Sequence, residues 1–236
     1  MLSLRILKSK DSRAYALLMI LLNYYWRLIV RWQVVGAEKV PLEGPVLFVP
    51  NHTSNLDPFL IALAVPRLVI FLSKDDIFEW PFVGWLVRRM LVIPIDRRKA
   101  TDHRALRESL AVLKRGEALC LFPEGTRSRT SELQKGMTGA VLMAARAGAI
   151  VVPVGIVGGL ESIKAKPVPL LGRRIKVNIG DPFRIGSGHG KLSREEAQRL
   201  TDDVMLRIAD LLPPDKRGVY GAQPDNEQVA RVQEAI

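Results

Sequence analysis

Two short polar stretches hold the residue types that could do chemistry. The first, Asn51-His52-Thr53-Ser54-Asn55-Leu56-Asp57-Pro58, carries an imidazole and a carboxylate. The second, Phe122-Pro123-Glu124-Gly125-Thr126-Arg127-Ser128, carries a carboxylate, a glycine turn and a guanidinium. An ordinary imidazole titrates near about 6.5, so His52 can act as a base at neutral pH. Asp57 lies five positions on, about 140° around a regular helix, and would not share a helical face with His52. The two meet if His52 occupies the turn before a helix and Asp57 its first turn, a boundary that Asp57-Pro58 provides. The carboxylate could then accept the proton on one ring nitrogen and leave the other as base. The plainer reading is that Asp57 caps the helix; capping and orienting are compatible, and both are expected.

Each stretch follows an apolar run, and such runs recur along the chain: Val46–Val49, Leu68–Leu72, Leu91–Ile95, Ala118–Phe122 and Ile150–Val154. Helix-like stretches separate them. This alternation predicts an α/β fold, a single domain with a largely parallel or mixed central sheet flanked by helices. Helices are expected over Pro58–Val65, over Asp102–Arg115 ended by Gly116, and over Gly136–Ala147 ended by Gly148. Ser193-Arg194-Glu195-Glu196 reads as a capping box opening a helix to Leu212, before Pro213-Pro214. Arg173–Ile179 alternates and reads as a late edge strand.

The runs end on polar residues: His52, then Ser73-Lys74, then Asp96-Arg97, then Glu124 and Arg127. Sites in open parallel sheets form outside the carboxyl ends of strands. One base and three cations, Lys74, Arg97 and Arg127, are therefore expected on one rim, unless a solvated edge has gathered the charges. The cations would suit a phosphate, which arginine can grip bidentately. A His-Asp pair with no evident protein nucleophile suits activation of a substrate hydroxyl against an already activated acyl group. No Gly-x-Ser-x-Gly elbow, Walker A loop or metal-ligand cluster is present in the sequence, so no metal and no cofactor are expected.

The 35 basic against 24 acidic residues give a net charge of +11, which points to an anionic partner. Nucleic acid ranks last, because aromatics are sparse among the basic clusters. Hydrophobic content is 48% and mean hydropathy is +0.10, values that leave room for membrane contact. Cys120, the single cysteine, excludes an intramolecular disulfide and reads as a small buried strand residue.

Residues 1–34 form a basic and hydrophobic segment: Arg5, Lys8, Lys10 and Arg13 precede the apolar Ala14–Leu22, then Asn23-Tyr24-Tyr25-Trp26-Arg27. The run is shorter than the roughly 20 residues a spanning helix needs. Asn23, Arg27 and Arg31, four apart, would line one polar strip of a helix lying in or dipping into one leaflet. A helix packed on the domain is the alternative. No cleavage site of small residues follows, so a removed signal peptide is not expected. Phe78–Leu86 offers a second membrane contact, or a core helix. The expected organisation is this segment, a domain over 35–212, and a polar tail over 213–236.

His52-x4-Asp57 together with Phe122-Pro123-Glu124-Gly125-Thr126-Arg127 resembles the glycerolipid acyltransferase family, most closely its bacterial 1-acyl-sn-glycerol-3-phosphate acyltransferases. Ile93-Pro94-Ile95-Asp96-Arg97 and Val151-Val152-Pro153-Val154 are similar to two further blocks of that family, and order and spacing agree from about residue 35 to 182. The resemblance implies transfer of an acyl chain from acyl-CoA or acyl-carrier protein to the free hydroxyl of lysophosphatidic acid. It implies His52 as base and Asp57 as its partner, with Lys74, Arg97 and Arg127 on the phosphate. Glu124 would shape the acceptor site or orient the glycerol, with Gly125 and Thr126 also binding substrate. It also implies peripheral, monotopic binding at the cytoplasmic face of an anionic membrane through an amino-terminal helical hairpin, of which the sequence offers one helix. Glycerol 3-phosphate, another lysolipid or a glycolipid is the alternative acceptor, and a non-catalytic lipid-binding scaffold is the alternative class.

Overall fold

The computed structural model describes residue 24 and residues 31–74, 92–95, 102–158, 174–186 and 192–221. Among the described residues eight strands form one sheet: β1 Arg31–Val35, β2 Val46–Pro50, β3 Val69–Lys74, β4 Val92–Ile95, β5 Ala118–Cys120, β6 Ile150–Val157, β7 Arg174–Ile179 and β8 Phe183–Arg184. Among the described residues they are accompanied by the helices α1 Asp57–Ala64, α2 His103–Lys114, α3 Gly139–Ala147 and α4 Arg194–Asp210. The strand order is β1-β7-β6-β2-β5-β3-β4, with β8 also paired to β6.

The five apolar runs of the sequence become β2, β3, β4, β5 and β6, and these run parallel. Burial on both faces explains their unbroken apolar character: all five residues of β2 are buried. Leu47, Val49, Leu119 and Val151 pack on one side with Val112 and Leu113 of α2, Val141 and Ala144 of α3, and Met205 and Ile208 of α4. Val46, Phe48, Ala118, Cys120 and Val152 pack on the other with Leu60, Ile61 and Ala64 of α1. Cys120 is 1% exposed, and burial, with the charge of Asp57 adding to it, pushes its thiol well above the ordinary value.

Arg173–Ile179 does not form an edge. As β7 it is antiparallel to β6 on one side and parallel to β1 on the other. Its alternating burial is that of a strand near the sheet margin, and β1 outside it also alternates between exposed and half-buried residues. Arg31, expected on a helical strip with Asn23 and Arg27, is the first residue of β1. Among the rest of the amino-terminal segment, Tyr24 is helical and exposed, and the other residues of that expectation before 31 lie outside the described residues, as do Phe78–Leu86. Among the described residues no helix is long and apolar enough to cross a membrane.

Helix boundaries follow local chemistry. Asp102 caps α2 by accepting the N–H groups of Arg104 and Ala105, and Ser193 and Glu196 form the expected capping box of α4. Beyond α4 the chain packs rather than trailing away. Pro214–Lys216 and Gly218–Tyr220 are short 3-10 turns, and the Lys216 carbonyl accepts the N–H of Leu133 at 2.9 Å. Residues 222–236 of the expected tail lie outside the described residues.

Topology decides where a site can open. From β2 the chain crosses over β5 to reach β3, with α1 on one face; from β5 it crosses back over β2 to reach β6, with α3 on the other. Crossovers leaving two neighbouring strands in opposite directions part at their carboxyl ends, and a crevice opens there. The two polar stretches begin at those two ends. A separate cavity, lined by Leu42, Arg67, Leu68, Ile70, Gly116, Glu117 and Ala118, lies at the amino-terminal ends of β3 and β5.

Candidate active site

β2 and β5 lie side by side with Val46 facing Ala118 and Phe48 facing Cys120, so their outgoing loops start as neighbours. The β2 loop is tied first to β6. Asn51 is buried, its Oδ1 accepts the N–H of Ile156 at 2.7 Å, and its Nδ2 donates to the Ile156 carbonyl at 3.1 Å. With Asn51 held, the next residue is placed just beyond the carboxyl end of β2.

His52 sits in the turn before α1, and Asp57 is the first residue of that helix. Their side chains meet, with His52 Nδ1 2.9 Å from Asp57 Oδ2. The same oxygen accepts the backbone N–H groups of Thr53 and Ser54, each at 2.7 Å. Asp57 is fully buried, and its Oδ1 has no partner among the described residues. The expected capping role is corrected by this geometry: Leu56 is the N-cap and no side chain caps the helix. Asp57 holds donors upstream of the helix instead, which folds the turn back around the imidazole. A carboxylate oxygen can only accept here, so it fixes the proton on Nδ1 and leaves Nε2 with a free lone pair. The His52 side chain is 13% exposed. Phe122, from the second stretch, stacks on the ring with centroids 3.9 Å apart and planes inclined by 23°.

The second stretch also grips the backbone of His52. Glu124 Oε1 accepts the His52 N–H at 2.7 Å, and the His52 carbonyl accepts the N–H of Ser128 at 2.8 Å. The other oxygen of Glu124 accepts from Gln134 twice, from its backbone N–H at 3.1 Å and its Nε2 at 2.9 Å. Burial raises the Glu124 carboxyl to about 7; the donors from His52 and Gln134 pull the other way, and Asp57 adds a smaller upward push. Gly125 turns the chain at φ 68°, a left-handed conformation that favours glycine. Thr126 and Arg127 are exposed.

Of the residues singled out from the sequence, His52, Asp57 and Glu124 are thus brought into one hydrogen-bonded group. Arg127 belongs to the same loop, flanked by Ser128 on the His52 carbonyl and by Thr126, whose carbonyl accepts from Gln134 Nε2 at 3.3 Å. Lys74 ends β3 opposite Ile95 of β4; its side chain, and Arg97 altogether, lie outside the described residues. Asn51, Phe122 and Ser128 stood in the motifs without an assigned task. Gln134 carried no signal, being a polar residue in a polar loop. Among the described residues no group of three or more His, Cys, Asp or Glu could hold a metal ion.

Residues 31–157 match the family model described as Acyltransferase. The chain is 36% identical over 178 residues to the chloroplastic 1-acyl-sn-glycerol-3-phosphate acyltransferase LPAT1 of Arabidopsis thaliana, covering 73% of this chain and 49% of that protein. It is 34% identical over 129 residues to the lyso-ornithine lipid O-acyltransferase of Pseudomonas aeruginosa, covering 54% of this chain and 49% of that one. The crystal structure of the 1-acyl-sn-glycerophosphate (LPA) acyltransferase PlsC from Thermotoga maritima superposes with a TM-score of 0.64 at 24% identity, covering 87% of this chain and 83% of that one, a likeness of fold. The chain spans about half the length of the first curated relatives it matches.

Proposed function

The chain belongs to the acyltransferase family, and we propose that it moves a fatty acyl chain from a thioester donor to the free hydroxyl of 1-acylglycerol 3-phosphate, giving phosphatidic acid. The observation that carries this reading is the 2.9 Å contact between His52 Nδ1 and Asp57 Oδ2, in the loop that leaves the carboxyl end of β2 beside β5. In the proposed reaction His52 Nε2 takes the proton of the acceptor hydroxyl as that oxygen bonds to the thioester carbonyl carbon. The tetrahedral adduct then collapses, the carbon–sulfur bond breaks, and the imidazolium returns the proton to the departing thiolate. Asp57 keeps the imidazole in the right tautomer and stabilises its transient positive charge. The products are an ester and a free thiol, so no cofactor takes part.

Acyl-CoA and acyl-carrier protein are both fitting donors. Arg127, exposed beside the His52 backbone, supplies the cation for the acceptor's phosphate, joined in this reading by Lys74 and Arg97. Gly125 and Thr126 complete the acceptor side of the loop. The net charge of +11 favours work on an anionic membrane surface, with peripheral attachment at the cytoplasmic face.

A second acceptor class has a specific ground: the similarity to a relative named for lyso-ornithine lipid, which carries a name without phosphate. The test is a matrix of labelled acyl-CoA and acyl-carrier protein against 1-acylglycerol 3-phosphate, glycerol 3-phosphate and lyso-ornithine lipid, in anionic liposomes. Loss of the general base in His52→Ala should cost at least ~100-fold in turnover. Near-wild-type turnover in that variant would defeat the mechanism. Liposome binding with no transfer by the wild type would leave a lipid-binding scaffold.

A further inference from the structure

Glu124 holds the backbone of His52 through one oxygen, and that oxygen can stay in place only if the other is fixed. A carboxylate rotates about its last carbon–carbon bond, so two hydrogen bonds on one oxygen and one on the other define its plane. Gln134 supplies both bonds on the far side, from backbone N–H at 3.1 Å and from Nε2 at 2.9 Å. We propose that Gln134 is a positioning residue: it clamps Glu124 so that the carboxylate keeps the His52 backbone, and with it the imidazole, in place beyond the carboxyl ends of β2 and β5. The inference rests on His52 being the base of the transferase reading.

The clamp is itself built into the fold. Gln134 is half-buried, and Leu133 before it is 3% exposed. The Leu133 N–H donates to the Lys216 carbonyl at 2.9 Å, and the Met137 N–H donates to the Pro123 carbonyl at 2.8 Å. The Gly136 N–H donates to the Tyr220 hydroxyl at 3.2 Å, which in turn donates to Asp202 at 3.3 Å. The loop is therefore pinned on both sides of Gln134, by residues beyond α4 and by the start of the Glu124 turn. A side chain held this way can impose geometry on its neighbour rather than follow it.

The same contacts give Gln134 an effect on charge. Three N–H groups converge on Glu124, and each favours the ionised carboxylate. Burial and the nearby Asp57 oppose them, leaving the group at about 7. The other titratable neighbours are His52, whose N–H is one of the three donors, and Tyr220, whose own hydroxyl is raised mainly by burial and slightly by Glu124 and Asp202. Arg127 lies on the same loop. Near neutral pH the protonation of Glu124 is thus sensitive to the loss of a single donor.

Gln134→Met keeps the length of the side chain and removes its amide, and with it the Nε2 bonds to Glu124 and to the Thr126 carbonyl. Glu124 is followed in the full chain in detergent micelles by carbon-13 NMR of glutamate carboxyls, its resonance identified by its absence from Glu124→Gln. The titration midpoint should rise by about half to one unit, and the acid limb of kcat should move up with it. At high pH turnover should recover to within about threefold of wild type, with KM unchanged, since the ionised clamp re-forms through the backbone donor. Gln134→Lys replaces the donor by a cation and should lower the midpoint. An unmoved midpoint in both variants, or a loss of kcat equal at every pH, would overturn the proposal. Midpoints that move as expected in a protein with no transferase activity would uphold the clamp and defeat the transferase reading instead.

Discussion

The carbonyl oxygen of His52 accepts the backbone N–H of Ser128 at 2.8 Å. The residue with the imidazole and the residue after the guanidinium are therefore joined through main chain, independently of any substrate. Backbone contacts of this kind tolerate changes of side chain, so individual side chains can be removed here while the two loops stay together.

Asp57→Asn separates tautomer control from charge. With its oxygen in the place of Oδ2 the amide still accepts from His52 and the two backbone donors. It cannot stabilise an imidazolium, and its NH2 takes the buried position where Oδ1 has no partner among the described residues. Turnover should fall ~100-fold or more, with stability reduced by about 1–3 kcal/mol for the unpaired donor. Steady-state kinetics beside urea unfolding would check both; a fully active variant would remove Asp57 from the mechanism.

Arg127→Ala tests the acceptor's phosphate. Losing one charge-assisted hydrogen bond of about 1.5–3 kcal/mol should lower kcat/KM for 1-acylglycerol 3-phosphate by roughly 10–100-fold. An acceptor without phosphate should be little affected. Because Arg127 is exposed, the melting temperature should hardly change. Equal losses on both acceptors would place Arg127 elsewhere in the reaction.

Glu124 makes stability depend on pH in a stated direction. Its carboxyl moves from 4.5 to about 7 on folding, chiefly through burial. The folded chain thus binds the proton more tightly than the unfolded chain. The contribution is complete below about 4.5 and is lost as pH rises through about 7. Between pH 5 and 8 wild type should lose about 2–3 kcal/mol relative to Glu124→Gln, at about 1.4 kcal/mol per unit. Urea unfolding of both proteins across that range measures the difference; parallel curves would show that Glu124 does not titrate there.

Gly125→Ala should cost about 1–2 kcal/mol through its left-handed backbone alone. A further cost comes from the new Cβ, which would meet the sulfur of Met137. Adding Met137→Ala should recover only the contact part. Thermal unfolding of the single and double variants separates the two; full recovery would show that backbone strain plays no part.

Much of this arrangement was legible in residue order. Runs buried on both faces read as parallel strands because nothing polar interrupts them, and the polar residues that follow must lie at strand ends. That logic reached His52, Asp57 and Glu124. It failed where burial is one-sided: Arg174–Ile179 alternates like an edge strand, yet β1 lies outside it. It assigned Arg31 to a helix because spacing of four cannot register a strand partner more than a hundred residues away. Gln134 and Tyr220 were beyond reach for another reason. Their contacts depend on how a loop folds over a neighbouring turn, and polar loop residues carry no periodicity that would announce it. The packing of 213–221 was hidden likewise, since backbone groups such as the Lys216 carbonyl hold it in place.

Cys120 lies in the sheet interior with its thiol held in the protonated state, and this sequence contains no second cysteine. Thiolate is the reactive species toward maleimides and iodoacetamides, so the folded chain is blank to such reagents. A cysteine introduced at an exposed position, Arg129 or Val219 for instance, would be the sole site to take a spin label or fluorophore. Depth of immersion in a bilayer could then be read position by position on an otherwise unaltered background.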